Sequence, residues 1–216
     1  MVWDANLAYA VGLITTDGNL SKDGRHINLT SKDREQLKTF AEILNLKNKI
    51  SPKIGSYSQS KCFQIQFGNV ALYKFLLEIG LIPNKTKTMG SLRIPPEYFA
   101  DFLRGHLDGD GCTYSYWDKR WKSSFMLYTT FMSASVKHIK WLKEQIEKLY
   151  GMNGRITEHK TYYLLRFAKK GSLNLIRIMY YSENLPYLSR KKFKIDKALS
   201  IINGYAGVLK SVDRPA

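Results

Sequence analysis

The stretch LAYAVGLITTDGNL, residues 7–20, reads as an apolar helix that ends at an aspartate followed by a glycine. Residues 99–114, FADFLRGHLDGDGCTY, repeat this design. The two aspartates, Asp17 and Asp110, lie 93 residues apart (110 minus 17). An aspartate-glycine pair commonly just ends a helix, but two copies at equivalent positions indicate an internal duplication with a function at the helix ends.

The ends of both helices carry the expected signals. For the first helix, predicted over 5–16, Asp4 is a suitable N-cap and Gly18 a suitable C-cap. The second helix is predicted over 97–108, and Pro95 and Pro96 precede it.

The remaining chain repeats one order of elements in each half. A polar strand pair and an amphipathic helix follow each motif, and then come a strand of alternating polarity and closing helical segments. Phe63, Ile65 and Phe67 alternate with glutamines in the first half, and Tyr163, Leu165 and Phe167 alternate around Arg166 in the second. The fold class is therefore α+β, built from two αββαββα units.

These patterns predict where the duplicated units begin and end. The first half is expected over 1–84, a linker over 85–96, the second half over 97–210 and a tail over 211–216.

The first motif helix is nearly all apolar, Leu103 and Leu107 mark the apolar side of the second, and Gly12 and Gly105 occupy the same place in each. If the helices pack on one another, the glycines allow a close approach, and the packing brings Asp17 and Asp110 together. Two neighbouring carboxylates repel unless a cation lies between them. Hard oxygen ligands with room for water and phosphate suit Mg²⁺, with Mn²⁺ or Ca²⁺ as alternatives at the same site.

Composition indicates the class of partner. The chain has 34 Lys and Arg against 18 Asp and Glu, a net charge of +16. Such an excess favours a nucleic acid, with a membrane surface or a merely solvated basic surface as lesser alternatives. No apolar run is long enough for a membrane span and no secretory signal is recognisable, so we expect an intracellular protein. Cys62 and Cys112 are too few for a disulfide framework or a zinc site.

The segments AVGLITTDG (10–18) and LRGHLDGDG (103–111) resemble the two signatures of the LAGLIDADG homing endonucleases. The Ser-Lys-Asp run at 31–33 and LPYLSRKKFK (185–194) extend the resemblance over most of the chain. The resemblance implies a single-chain, monomeric, pseudo-twofold enzyme in which the motif helices pack at the centre. Two saddle-shaped antiparallel sheets would straddle duplex DNA, as expected for a free-standing or intron-encoded, site-specific endonuclease that makes metal-dependent double-strand breaks.

The resemblance also implies site residues. The last acid of each motif, Asp17 and Asp110, would bind metal and cut one strand each, with Thr16 and Gly109 completing the ligand set. Gln66 and Arg166 are predicted to assist catalysis, and Lys61 and Lys160 are rival candidates.

Polar, basic and aromatic side chains on the predicted strands and turns are expected to contact DNA at a long asymmetric target. In the first half these are Asn19, Ser21, Lys22, Arg25, Asn28, Lys53, Tyr57, Gln59, Lys61 and Gln64. In the second half they are Thr113, Tyr114, Tyr116, Lys119, Arg120, Lys122, Arg155, Thr157 and Lys160.

Two departures from the family pattern concern the second motif, where Arg104 and His106 replace apolar residues. They predict an asymmetric or partly solvated helix interface, with His106 as a polar interface residue and less favourably as a metal ligand. Two other functions remain open: an RNA-splicing maturase that binds intron RNA, and a DNA-binding regulator without catalysis.

Overall fold

The computed structural model describes residues 1–54, 61–121 and 123–212, with only the backbone of Ile54, Lys61 and 205–212. The predicted contacts Tyr57, Gln59 and Lys122 lie outside these residues. The first half contains α1 (Ala5–Asp17), β1 (Gly18–Leu20), β2 (His26–Ser31), α2 (Arg34–Ile43), β3 (Ser51–Ile54), β4 (Lys61–Gly68) and α3 (Val70–Glu78). The second contains α4 (Phe99–Asp110), β5 (Cys112–Trp117), β6 (Phe125–Ser133), α5 (Val136–Tyr150), β7 (Arg155–Glu158), β8 (Tyr163–Phe167), α6 (Lys169–Met179) and α7 (Ser189–Val212).

Each half forms one antiparallel sheet with the same strand order. The orders are β1-β2-β4-β3 and β5-β6-β8-β7, which confirms the duplication. Strand β2 alternates, with Ile27 and Leu29 fully buried and Asn28 partly exposed on the other face. Each sheet therefore has one face in the core and one open face.

The two motif helices pack directly on each other, as predicted. A Cβ added at Gly12 would lie 2.7 Å from the backbone nitrogen of His106, and one added at Gly105 would overlap the Tyr9 carbonyl. The two backbones therefore touch, which only glycine at these positions permits. Every residue of α1 from Leu7 to Thr15 is buried, because α4 of the second half and β1, β2 and α2 of the first half pack around it.

The helix caps follow the sequence signals. Asp4 Oδ1 accepts a hydrogen bond from the Leu7 backbone N–H at 2.7 Å, and Gly18 ends α1. A short 3₁₀ turn over Pro96–Tyr98 precedes α4. The second helix therefore begins at Phe99 rather than residue 97 and continues to Asp110, because the proline pair shapes a turn before the helix begins.

Arg104 and His106 correct the prediction of a partly solvated interface. Arg104 is fully buried and forms an ion pair with Asp101 at 2.7 Å. Its other nitrogens donate to the carbonyls of Pro186 and Met179 at 2.8 and 2.7 Å. His106 is also buried and stacks on His138. Both side chains are therefore enclosed in the core, although His106 Nδ1 has no hydrogen-bond partner among the described residues.

Helix α7 is the main difference between the halves, and its first turn reaches across to α2. The Arg190 guanidinium pairs with Asp33 at 2.7 Å, and the Ser189 backbone N–H donates to Glu35 at 3.2 Å.

In the described part of the chain, no helix is both long and apolar enough to cross a bilayer.

Candidate active site and nucleic-acid interface

Asp17 and Asp110 are the last residues of the packed helices α1 and α4. The helix ends lie side by side, since a Cβ added at Gly109 would be 3.1 Å from Asp17 Oδ2 and 2.6 Å from Thr16 Cβ. The packing of α1 on α4 thus places Asp17 and Asp110 next to each other, between the two sheets.

The electrostatics of this place oppose ionisation of the acids. Burial, and then the charge of Asp110, raises the pKa of Asp17 to about 7. Burial raises the pKa of Asp110 as well, although Lys191 and Lys85 act in the opposite direction. Neither acid forms a direct ion pair with a described residue, so a positive ion would be stabilised here.

Two buried lysines flank the acids, and our sequence predictions did not include either. Lys85 Nζ donates to the Gly18 carbonyl at 2.5 Å, and burial lowers its pKa to about 8. Four carbonyl oxygens, of Leu107, Asp108, Gly109 and Gly111, lie 2.6–2.8 Å from Lys191 Nζ and share its three N–H donors.

The two lysines occupy related places, one at the end of each motif helix. A proline precedes each lysine, but Pro83 lies two residues before Lys85 and Pro186 five residues before Lys191, so the sequence does not mark the two as equivalent. A cavity of about 200 Å³ opens beside this cluster, lined in part by Lys85, Asp110, Ser133 and Tyr162.

The donor set available to a metal is small. Among the described residues, no cluster of three or more His, Cys, Asp or Glu side chains is suited to metal binding. The Thr16 hydroxyl donates to the Leu13 carbonyl at 3.0 Å, and the Gly109 carbonyl accepts from Lys191. His106 lies in the buried stack with His138. The residues fit a hard cation held by Asp17 and Asp110, with water and substrate oxygens as further ligands.

The predicted catalytic assistants Gln66 and Arg166 occupy equivalent positions on the two open faces. Gln66 pairs with Asn28, which pairs with Asn19, two residues after the first acid. In the second half, Arg166 pairs with Thr130, and Thr130 pairs with the residue two places after Asp110. Their catalytic roles remain predictions.

The two alternative candidates for assisting catalysis, Lys61 and Lys160, do not occupy described equivalent positions. Lys160 is exposed in the turn between β7 and β8. The Lys61 side chain lies outside the described part, although its backbone begins β4.

Most of the predicted DNA contacts that the structure describes lie at the surface. The exposed ones are Asn19, Lys22, Arg25, Lys53, Tyr114, Tyr116, Lys119, Arg120, Arg155 and Lys160, and the half-buried ones are Ser21, Asn28, Gln64 and Thr157. The prediction that Thr113 contacts DNA is wrong, because its side chain is only 6% exposed. The strand period directs it into the core, while Tyr114 next to it faces outward.

The two open faces differ chemically. On the first, Asn28 Nδ2 donates to Gln64 Oε1 at 3.3 Å and Thr30 donates to Asn28 Oδ1 at 2.9 Å. On the second, Tyr128 stacks with Tyr114 and Tyr116, at centroid distances of 5.2 and 6.2 Å. One face presents amides and hydroxyls, and the other presents aromatic rings.

No protein-family model and no curated protein sequence matches this chain. Solved structures do match it. The homing endonuclease I-WcaI bound to its DNA recognition sequence aligns with a TM-score of 0.64 at 13% identity, over 89% of this chain and 88% of that one.

Two further solved structures are similar to this chain. I-DmoI in complex with DNA and Mn aligns at 0.52 and 16% identity, over 83% of this chain and 98% of that one. The N-terminal LAGLIDADG domain of DUF199/WhiA aligns at 0.55 and 14% identity, over 91% and 88%. The two packed motif helices, the two four-stranded sheets and the similarity to these solved structures agree. The chain has the fold of the single-chain LAGLIDADG homing endonucleases.

Proposed function

We propose that this protein is a site-specific, metal-dependent endonuclease that makes double-strand breaks in a long asymmetric DNA target. The observation that carries the proposal is the meeting of Asp17 and Asp110 at the ends of the packed helices, between two open sheet faces. One acid would serve each strand. Two of the similar structures, I-WcaI and I-DmoI, are complexes with DNA, and the second also contains Mn, which supports this substrate and a divalent ion.

Each residue of the cluster has a distinct part in this proposal. Asp17 and Asp110 would hold the ion, which when bound supplies Lewis acidity for activating water and stabilising the leaving oxygen. Lys85 and Lys191 are bonded to backbone carbonyls, and their role would be to add positive charge beside the acids that offsets the negative charge developing on a cleaved phosphate. Because one chain carries both acids and both sheets, the enzyme would act as a monomer.

The test is cleavage of a randomised duplex library with Mg²⁺, followed by sequencing of the cut products. The wild type is expected to cut one long asymmetric sequence in both strands. Asp17→Asn and Asp110→Asn should each nick it or lose activity. Glu144→Gln is the matched control, since it removes an exposed carboxylate on α5 and should leave cleavage intact.

Tight, salt-sensitive binding without any cut by the wild type would contradict the endonuclease. The regulator and the maturase would then be the remaining hypotheses, and structured intron RNA would be the next ligand to test.

A further inference from the structure

The two catalytic acids do not have the same surroundings. From this difference we infer that Gln36 is a positioning residue for Asp17, and that it makes cleavage of one DNA strand depend on a side chain that the other strand does not use. The inference rests on the proposed nuclease function.

Gln36 lies on α2 and is only 2% exposed. Its Nε2 donates to Asp17 Oδ2 at 3.2 Å, and its Oε1 accepts from the Ser31 hydroxyl at 2.7 Å. Both ends of the amide are therefore bonded, which fixes which end faces the acid. A buried amide with two satisfied bonds has little freedom to rotate.

The Ser31 hydroxyl is itself held. It accepts from the Asp33 backbone N–H at 3.1 Å, and the Asp33 carboxylate pairs with Arg190 at the start of α7. The hydrogen bonds therefore run in one direction, from Asp33 through Ser31 and Gln36 to Asp17. The chain of bonds is anchored by a residue of the other half, next to Lys191.

The second half has a different residue at the equivalent place. Gln36 follows the N-cap of α2, Asp33, by three residues, and His138 follows the N-cap of α5, Ser135, by three residues. His138 lies 3.2 Å from the His106 ring and 3.0 Å from the Gly90 carbonyl. Within the described ranges, no side chain donates a hydrogen bond to Asp110.

This asymmetry has a direct consequence for reactivity. The Asp17 carboxylate is held in one orientation before substrate arrives, whereas Asp110 has to be ordered by the ion and the DNA. Positioning a reacting group in advance lowers the entropic part of the barrier. Gln36 should therefore affect the strand that Asp17 serves, and leave the strand that Asp110 serves unchanged.

The decisive experiment uses Gln36→Met, which keeps the volume of the side chain but cannot donate. A target labelled differently on each strand gives two rates, and Asp17→Asn identifies the strand that Asp17 serves. We expect that strand to slow about tenfold or more in Gln36→Met, and the other to stay within about twofold. Gln145→Met, on α5, is the matched control and should change neither rate.

A second readout needs neither metal nor DNA. In the metal-free protein, the side-chain amide resonances of Gln36 should shift in Asp17→Ala and stay in place in Asp110→Ala. If Gln36→Met does not fold, Gln36→His, which installs the residue of the second half, gives the same strand comparison.

The possible failures can be told apart. Equal slowing of both strands, or no slowing, would overturn the role of Gln36 while the nuclease stands. An unchanged Gln36 resonance in Asp17→Ala would overturn it too. A wild type that cuts neither strand would overturn the proposed function and this inference with it.

Discussion

The backbones of the two motif helices touch at Gly12 and Gly105, where a single added methyl group has no space. A Cβ at Gly105 would overlap the Tyr9 carbonyl and lie 3.1 Å from the Gly12 Cα. Backbone atoms cannot rotate away as side chains do, so the helices would have to separate. We expect Gly105→Ala to lower the free energy of unfolding by roughly 3 kcal/mol, measured by urea denaturation.

The control is Gly204→Ala, on α7, where an added Cβ meets nothing within 4 Å. Alanine in an open helical position should raise stability by about 0.5–1 kcal/mol. If both variants changed stability alike, the tight helix crossing would not be the cause.

Asp17 should make the stability of the metal-free protein depend on pH. The pKa of Asp17 is about 7 in the folded protein against an ordinary value of 3.8, so between these pH values the carboxyl is ionised in the unfolded chain and protonated in the folded one. Stability contributed by the protonated acid is therefore lost as pH rises from about 4 to about 7. Asp17→Asn should become more stable than the wild type over this window, by on the order of 1–2 kcal/mol after solvent screening.

Urea unfolding in a chelating buffer at pH 5 and pH 8 measures the difference. Glu144→Gln, which removes an exposed carboxylate, reports the effect of net charge alone. The same difference between Asp17→Asn and wild type at both pH values would contradict the raised pKa of Asp17.

At the scale of elements, the two open sheets should read DNA by different chemistry. Amides such as Asn28 and Gln64 can bond to base edges in the major groove, whereas aromatic rings contact the thymine methyl group. The tyrosine cluster of β5 and β6 is reinforced by Arg166, whose guanidinium lies 5.4 Å from the Tyr128 ring centre.

Deoxyuridine in place of thymidine tests this difference, because it removes only the methyl group. In the half-site under the second sheet, each substitution at a contacted thymine should weaken binding by about 1 kcal/mol, roughly fivefold. In the other half-site the effect should be below about twofold. Binding titrations without metal measure both, and Tyr128→Ser should abolish the difference. Equal losses in the two half-sites would contradict it.

Helices, strands and their duplication could be predicted from the sequence because each depends on local spacing. The alternation around Gln66 and Arg166 gave the faces of β4 and β8, and the repeated helix gave Asp17 and Asp110. The contacts of Arg104 could not be predicted, since its carbonyl partners lie 75 and 82 residues away along the chain. The same holds for the residues around the acids, Lys85, Lys191 and Gln36. Each is distant from its partner in sequence, and only the fold brings it close to Asp17 or Asp110.

At the scale of the whole molecule, the two halves share one core. The buried hydrophobic cluster is continuous and includes Leu13 and Ile14 of α1 together with Leu103 and Leu107 of α4. The first turn of α7 adds a second connection, through Arg190 and Asp33. Neither half has a complete core of its own, because each motif helix is covered by the other.

The chain should therefore unfold as one cooperative unit, although chains of 216 residues with two similar halves often unfold in steps. Native-state hydrogen exchange measures this at the buried centre of each sheet, at Ile27 and Leu29 of β2 and at Leu127 and Phe131 of β6. We expect the same opening free energy at all four amides, equal to that of global unfolding. In Gly105→Ala the opening free energies at all four amides should decrease by the same amount, because the helix crossing is formed by one helix from each half. Lower protection confined to one sheet would show that the halves unfold independently, and the shared core would then not couple them.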